Sequence, residues 1–282
     1  MHVGIMISTP MLFSDAALSR RLERAEGHAC AQFAAARRKR FPSSGAEWME
    51  CSGAFVVFDG LDSPVTQSFA LGLSEDLEPA TLDMVERFFY ERGSPILLEI
   101  SPLAGTRVLE LLCERNYRPI EISSVLYREL VDTPELPSQE IRVRRAATDD
   151  EIALWNEVST RGWVHDYPEF RDFFAQNAAI VAARQHGFCF LAELDGVPGA
   201  AGSLSIHEGV ALFAGAATVP ELRRRGLQNA LLRERLRFAC QHGCDVAMMV
   251  AETGSNSQRN AERQGFRIAY TRTKWRLAAT AE

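Results

Sequence analysis

The chain has 282 residues, 46% of them apolar and 24% charged, and a formal net charge of −6. The length suits two domains of roughly 140 residues each. The acidic balance argues against a nucleic-acid binder, which is normally basic, and no apolar run approaches the ~18 residues of a membrane-spanning helix.

The opening "MHVGIMISTPMLF" lacks the basic start and the small-residue cleavage site of a signal peptide. Ser14 to Arg40 has helical periodicity through Leu18, Leu22, Ala25, Ala29 and Phe33. "GAFVVFDG" and "SFALGL" read as two strands joined by a turn around Asp62–Pro64. "EPATLDMVERFFYERG" reads as a helix, "PILLEI" as a buried strand, "GTRVLELLCER" as a helix and "EISSVLYREL" as a strand. The stretch 131–140, "VDTPELPSQE", carries two prolines between better-patterned blocks and reads as a linker. It divides the chain into 1–130 and 141–282.

Downstream, "EIRVRRA" alternates like a strand, and "DDEIALWNEVS" and "PEFRDFFAQNAAIVAA" read as helices. "FCFLAEL" and "AAGSLSIHEG" are strands around a "DGVPG" turn, and "VALFAGAATV" is a third. A long helix follows from Gly226 to about His242, then the strand "DVAMMVA", a short helix over Ser257–Gln264 and a last strand from Phe266 to Leu277. The two halves share a layout. Gly93 and Gly243 each open a strand–turn–helix–strand run, and Tyr117 and Phe266 close them at nearly equal spacing. A degenerate internal duplication explains this better than two unrelated α/β halves.

The six cysteines, at 30, 51, 113, 189, 240 and 244, form neither CxxC nor a zinc pattern. They read as buried or semi-buried thiols in a reducing cytosol, with no metal site expected. "RRRGLQNALL", Arg223–Leu232, is the most informative stretch. A strand ends at Val219, Pro220 and Glu221 turn the chain, and a leucine-rich helix begins. Helix N-termini carry unpaired N–H groups and partial positive charge, so arginines crowded there call for a counter-anion such as a phosphate. A solvated basic turn is the alternative.

This segment resembles motif A of the GNAT N-acetyltransferase superfamily, [QR]-x-x-G-x-[GA]. Arg223 to Leu227 fill its first five positions, and Gln228 stands where Gly or Ala is usual. The likeness extends over about 141–277, and Gly265-Phe266 matches the family's final helix-to-strand corner. It implies an α/β fold of two tandem GNAT-like domains, each with a mixed, mostly antiparallel twisted sheet flanked by helices. It also implies acetyl-CoA as cosubstrate. The pyrophosphate would lie on the backbone of Arg224, Arg225, Gly226, Leu227, Gln228 and Asn229. The pantetheine arm would pair with Ala217, Thr218 and Val219, with the Val219 N–H as oxyanion donor. Ser257 and Asn260 would flank the cofactor.

Two departures stand out. Ala261 occupies the position where many members place an acidic tyrosine, leaving Tyr270 on the next strand as a substitute or a packed aromatic. A general base is unassigned. Glu252 at the end of "DVAMMVAE" is the leading candidate, while His165, Asp166, Trp163 and Tyr167 border the expected acceptor region or pack as loop surface. His207 and Glu208 are expected to be exposed in a hairpin turn. The first half has no such loop, because "LGLSEDLEPATLDMVERFF" puts acidic residues where basic ones are needed. It reads as a repeat without cofactor. The expected function is cytoplasmic N-acetyl transfer to a small-molecule or peptide amine, by direct attack in a ternary complex. No nucleic acid or membrane partner is expected, and the oligomeric state is open. The alternatives are a non-catalytic CoA-binding regulatory module and an interaction protein in which RRRG only caps a helix.

Overall fold

The computed structural model describes residues 12–61, 63–131 and 141–278. Residues 132–140 of the expected 131–140 linker, the first residues of the N-terminal reading and Asp62 of the expected turn lie outside them. Among the described residues no helix is long and apolar enough to cross a membrane.

Chain order in the first half is α1 (Ala16–Arg40), β1 (Glu47–Cys51), β2 (Ala54–Phe58), β3 (Gln67–Phe69), α2 (Pro79–Tyr90), β4 (Leu97–Ile100), α3 (Thr106–Glu114) and β5 (Tyr117–Glu129). The second half adds β6 (Ile141–Ala146), α4 (Asp149–Val164), α5 (Arg171–Ala183), β7 (Gly187–Leu194), β8 (Val197–His207) and β9 (Val210–Thr218). It ends with α6 (Leu227–Gln241), β10 (Val246–Glu252), α7 (Asn256–Arg263) and β11 (Arg267–Leu277). Local chemistry sets the helix starts. Asp15 Oδ1 accepts from the Leu18 N–H at 2.9 Å to cap α1, and Thr148 and Glu151 form a capping box at α4.

Among the described residues eleven strands form one sheet in the order β1-β2-β3-β4-β11-β5-β10-β9-β8-β7-β6. All pairings are antiparallel except β3–β4 and β9–β10. The centre of the order corrects the simplest picture of two sheets side by side. β11, from the second half, pairs with β4, while β5, from the first, pairs with β10. The two exchanged strands then pair with each other from Arg267–Tyr127 to Leu277–Tyr117. Each repeat supplies one strand to the other's sheet, and the twofold-like order β4-β11-β5-β10 matches the duplicated spacing in the sequence.

A buried ionic cluster fastens this exchange. Arg272 of β11 is 2% exposed and meets Glu23 and Glu26 of α1 at 3.1 and 2.6 Å and Glu99 of β4 at 3.1 Å. The Tyr270 hydroxyl donates to Glu23 at 2.9 Å. Burial raises the Glu23 carboxyl to about 7, against the pull of Arg272. Arg272→Ala is expected to lower stability by about 3–5 kcal/mol, because it strands buried carboxylates. The Glu23 share of that loss has a definite pH sign. A carboxyl whose folded pKa is raised keeps its contribution below the unfolded value of 4.5 and loses it as pH rises through about 7. Urea denaturation at pH 5 and pH 8 checks this, and the deficit should be larger at pH 8.

Candidate active site

β9 and β10 run parallel only where Val210–Leu212 face Val246–Met248. Beyond that, β9 stays on β8 and β10 stays on β5, so the strands part. A bulge in β9 accompanies the parting: Ala217 faces Ala201 and Ala214 faces Ser203, so one β8 residue opposes two of β9. Bulges bend a strand and re-aim its groups, and they concentrate beside functional sites. The wedge opens into a cleft of about 840 Å³ that runs from Met249 and Ala216 past Thr218 to the start of α6.

The α6 start is built for an anion. Gly226 has φ 89° and caps α6 without a side-chain hydrogen bond. Arg224 is also left-handed, at φ 62°. Such alternating conformations turn successive N–H groups to one side, as in an anion-binding nest. Among the described residues, no backbone or side-chain acceptor meets the N–H groups of Arg224 through Asn229. The first bond of the helix ladder is Ala230 N–H to Gly226 O at 3.1 Å. Behind this turn, Leu227, Leu231, Leu232 and Leu236 are buried and fix α6 on the sheet.

The three arginines differ in role. Arg223 grips Asp166 at the end of α4 through two nitrogens, at 3.2 and 2.9 Å, and also donates to the Thr218 and Gly162 carbonyls at 3.2 Å each. It is a strut that joins loop, strand and helix. Arg224 and Arg225 have no ion pair or side-chain hydrogen bond among the described residues, and neither do Arg259 and Arg263 of α7. Of these four, Arg224, Arg259 and Arg263 line the cleft. Arg225 is exposed.

Nine of the expected residues line the cleft: Ala217, Thr218, Arg224, Gly226, Leu227, Gln228, Asn229, Ser257 and Asn260. The unusual Gln228 turns its amide back onto the Thr218 hydroxyl at 2.9 Å, which ties α6 to β9. Three catalytic expectations need correction. The Val219 N–H is already bound to the Gly199 carbonyl at 2.9 Å, and Val219 is buried in the core. Because bonding alternates along a strand, the neighbouring Thr218 N–H faces the cleft instead. Glu252 is exposed, pairs with Ser123 of β5 and lies outside the cleft lining. Tyr270 is 7% exposed with its hydroxyl spent on Glu23, and burial raises its pKa further.

Trp163 and Asp166 do line the cleft, whereas His165 lies on a smaller depression of about 360 Å³ and Tyr167 packs on Trp163. His207 is not exposed as expected but stacks on His28 of α1 at 3.9 Å. Sequence reasoning missed Ala216, Met249, Arg235, Arg259 and Arg263 as lining residues. It also missed Gly162, where a Cβ would come within 2.7 Å of the Ala217 Cβ. That glycine lets α4 close on β9.

The matching position in the first half is filled from within. Leu71, Leu73 and Leu77 are buried in the loop after β3, and Glu75, Asp76 and Glu78 precede α2. A negative helix N-terminus repels phosphate.

Comparison with known proteins fits this geometry. Residues 126–254 match the family model of the acetyltransferase (GNAT) domain. Residues 126–254 are therefore a GNAT domain, and the N-terminal half shares the fold of a tandem GNAT protein. A GCN5-related N-acetyltransferase from Kribbella flavida superposes with a TM-score of 0.63 at 19% identity, over 89% of this chain and 96% of that one. One from Sphaerobacter thermophilus gives 0.54 at 16% identity, over 93% and 91%. A tandem GNAT protein from the clavulanic acid biosynthesis pathway gives 0.57 at 12% identity, over 96% of this chain and 98% of that chain. At these identities the likeness concerns the fold. No curated protein matches the sequence significantly.

Proposed function

We propose that the C-terminal GNAT domain transfers an acetyl group from acetyl-CoA to an amine of a small molecule or a peptide. The observation that carries this reading is the run of unpartnered N–H groups, Arg224 to Asn229, at the mouth of the cleft. The pyrophosphate would occupy that cradle, with Arg224, Arg259 and Arg263 adding charge. Ser257 and Asn260 of α7 flank the entering chain, and the pantetheine arm pairs with Ala217 and Thr218 in the wedge. The Thr218 N–H, and that of Ala216 across the bulge, replace Val219 as donors to the thioester oxygen, where negative charge grows during attack.

The chemistry needs little from side chains. The neutral amine attacks the thioester carbon, a C–N bond forms, the C–S bond breaks and the thiolate leaves with the electron pair. A thiol of pKa ~8.5 is an adequate leaving group without a dedicated acid. The cleft's carboxylate, Asp166, is held by Arg223, so the ammonium proton passes to water. Rate enhancement then rests on orientation and on the backbone donors. The N-terminal repeat holds no cofactor and shapes the sheet. No cysteine is in a disulfide, which fits a reducing, cytoplasmic setting.

A CoA-binding module without turnover is the second reading, favoured by Ala261 and by the absence of Glu252 and Tyr270 from the cleft. Thiol release from acetyl-CoA with a panel of primary amines separates them. The enzyme reading predicts amine-dependent release. Binding without release for any amine would leave the module.

A further inference from the structure

The cleft does not end at the pantetheine tunnel. α6 runs back along β9 from the loop, and its third turn brings Arg235 into the cleft wall with Leu232, Met249 and Ala261. Arg235 is 3% exposed. Its Nε donates to the Leu231 carbonyl at 3.3 Å and one terminal nitrogen to the Ser203 carbonyl at 2.9 Å. The guanidinium lies 5.0 Å from the centre of the Phe213 ring. Among the described residues the other terminal nitrogen has no hydrogen-bond partner and no carboxylate pairs with Arg235.

Two other deeply buried arginines hold carboxylates, whereas Arg184 holds none but lies outside the cleft lining. Arg37 has Asp59 at 2.7 Å, and Arg272 has a set of glutamates. An unpaired buried charge is costly. Burial pulls the Arg235 pKa down to about 9, so the group is still a cation at neutral pH. Methionine or leucine would fill the same space on this apolar helix face without that cost. Two carbonyls and the Phe213 face offset part of that cost, and a carboxylate entering the cleft would offset the rest.

We propose that Arg235 selects an acyl-CoA whose acyl group ends in a carboxylate, a short dicarboxylic acyl such as malonyl or succinyl. This rests on the reading of the same cleft as a CoA-thioester site and replaces its acetyl group with a longer acyl group that carries a charge. The position fits. Ser203, which anchors the guanidinium, faces Ala214, two residues before Ala216. Because the intervening Gly215 is left-handed and belongs to the bulge, the separation from the thioester donors is less than the ~7 Å of two extended residues, within reach of a carboxylate at the end of a short chain. Apart from Arg235, the far end is walled by the apolar Leu232, Met249 and Ala261. A short acyl chain would lie against them and present its charge to the free nitrogen as a charge-assisted hydrogen bond.

The test compares succinyl-CoA with butyryl-CoA, its neutral counterpart of equal chain length, and with CoA, by calorimetric titration of the full chain. Succinyl-CoA is expected to bind at least about tenfold tighter than butyryl-CoA, as a charged hydrogen bond implies. Arg235→Met should remove that preference and leave CoA affinity unchanged. Arg235→Gln, which can keep the bond to the Ser203 carbonyl, does the same if the methionine variant misfolds. Equal affinities for the two esters in the wild-type protein, or a preference that survives both substitutions, would overturn the assignment while leaving the cofactor reading intact. Failure to bind CoA or any ester would overturn both.

Discussion

Replacing Gly226 with aspartate is expected to abolish acetyl-CoA binding, a loss of more than about 100-fold in affinity. Two costs combine. The residue sits at φ 89°, where a side chain costs roughly 1–2 kcal/mol. A Cβ there would also press on Ile141 Cδ1 at 3.3 Å. More important, a carboxylate would stand in the middle of the N–H groups of Arg224 to Asn229, where the phosphates should lie, and like charges in contact cost several kcal/mol. Gly226→Ala carries only the first cost and should bind measurably. Thermal melting confirms that the variants fold, and titration calorimetry reads the affinity. A folded Gly226→Asp protein with wild-type affinity would show that the phosphates lie elsewhere.

Separating the halves is expected to be more damaging still. Residues 1–131 alone would lack β11, leaving β4 and β5 without the strand that joins them. Residues 132–282 alone would lack β5, so β10 and β11 would lose their only shared neighbour. Each fragment would expose long unpaired edges and apolar faces, and such surfaces aggregate. Arg272 would also be buried without Glu23, Glu26 and Glu99. Neither fragment should show a cooperative melting transition by circular dichroism, whereas co-expression should restore one. A fragment that melts cooperatively by itself would contradict the exchanged strands.

The sequence carried most of the element order because its local signals agree with the fold. Leu18, Leu22 and Ala25 mark the buried face of α1, and the alternation before Val219 marks β9. The edge strand β1, Glu47–Cys51, went unread because its residues, EWMEC, do not alternate and are only partly buried. The duplication was legible as spacing, but strand exchange was not. Spacing records which elements recur, and pairing across more than 100 residues leaves no local trace. The phosphate cradle was legible for a similar reason, since it is made of consecutive backbone atoms in one loop. The catalytic assignments failed where they depended on direction. Val219 and Thr218 differ by one position, and in a strand one position turns the N–H to the opposite side. The sequence leaves Tyr270 as a substitute acid or a packed aromatic, and Glu23, 247 residues away, makes it the packed one by taking its hydroxyl. Nothing in the sequence singles out Arg235, and only its burial against Ser203 and Phe213 sets it apart.

The most direct test of the cradle is the melting temperature of the full chain with acetyl-CoA, with CoA and without ligand. Ligand at about 100 times its dissociation constant adds about 2.7 kcal/mol to the folded state, which raises the melting point of a protein this size by several degrees. A rise with either ligand is the predicted result. An unchanged melting point in well-folded protein at millimolar ligand would contradict it, leaving "RRRGLQNALL" as a basic helix start with no phosphate to hold.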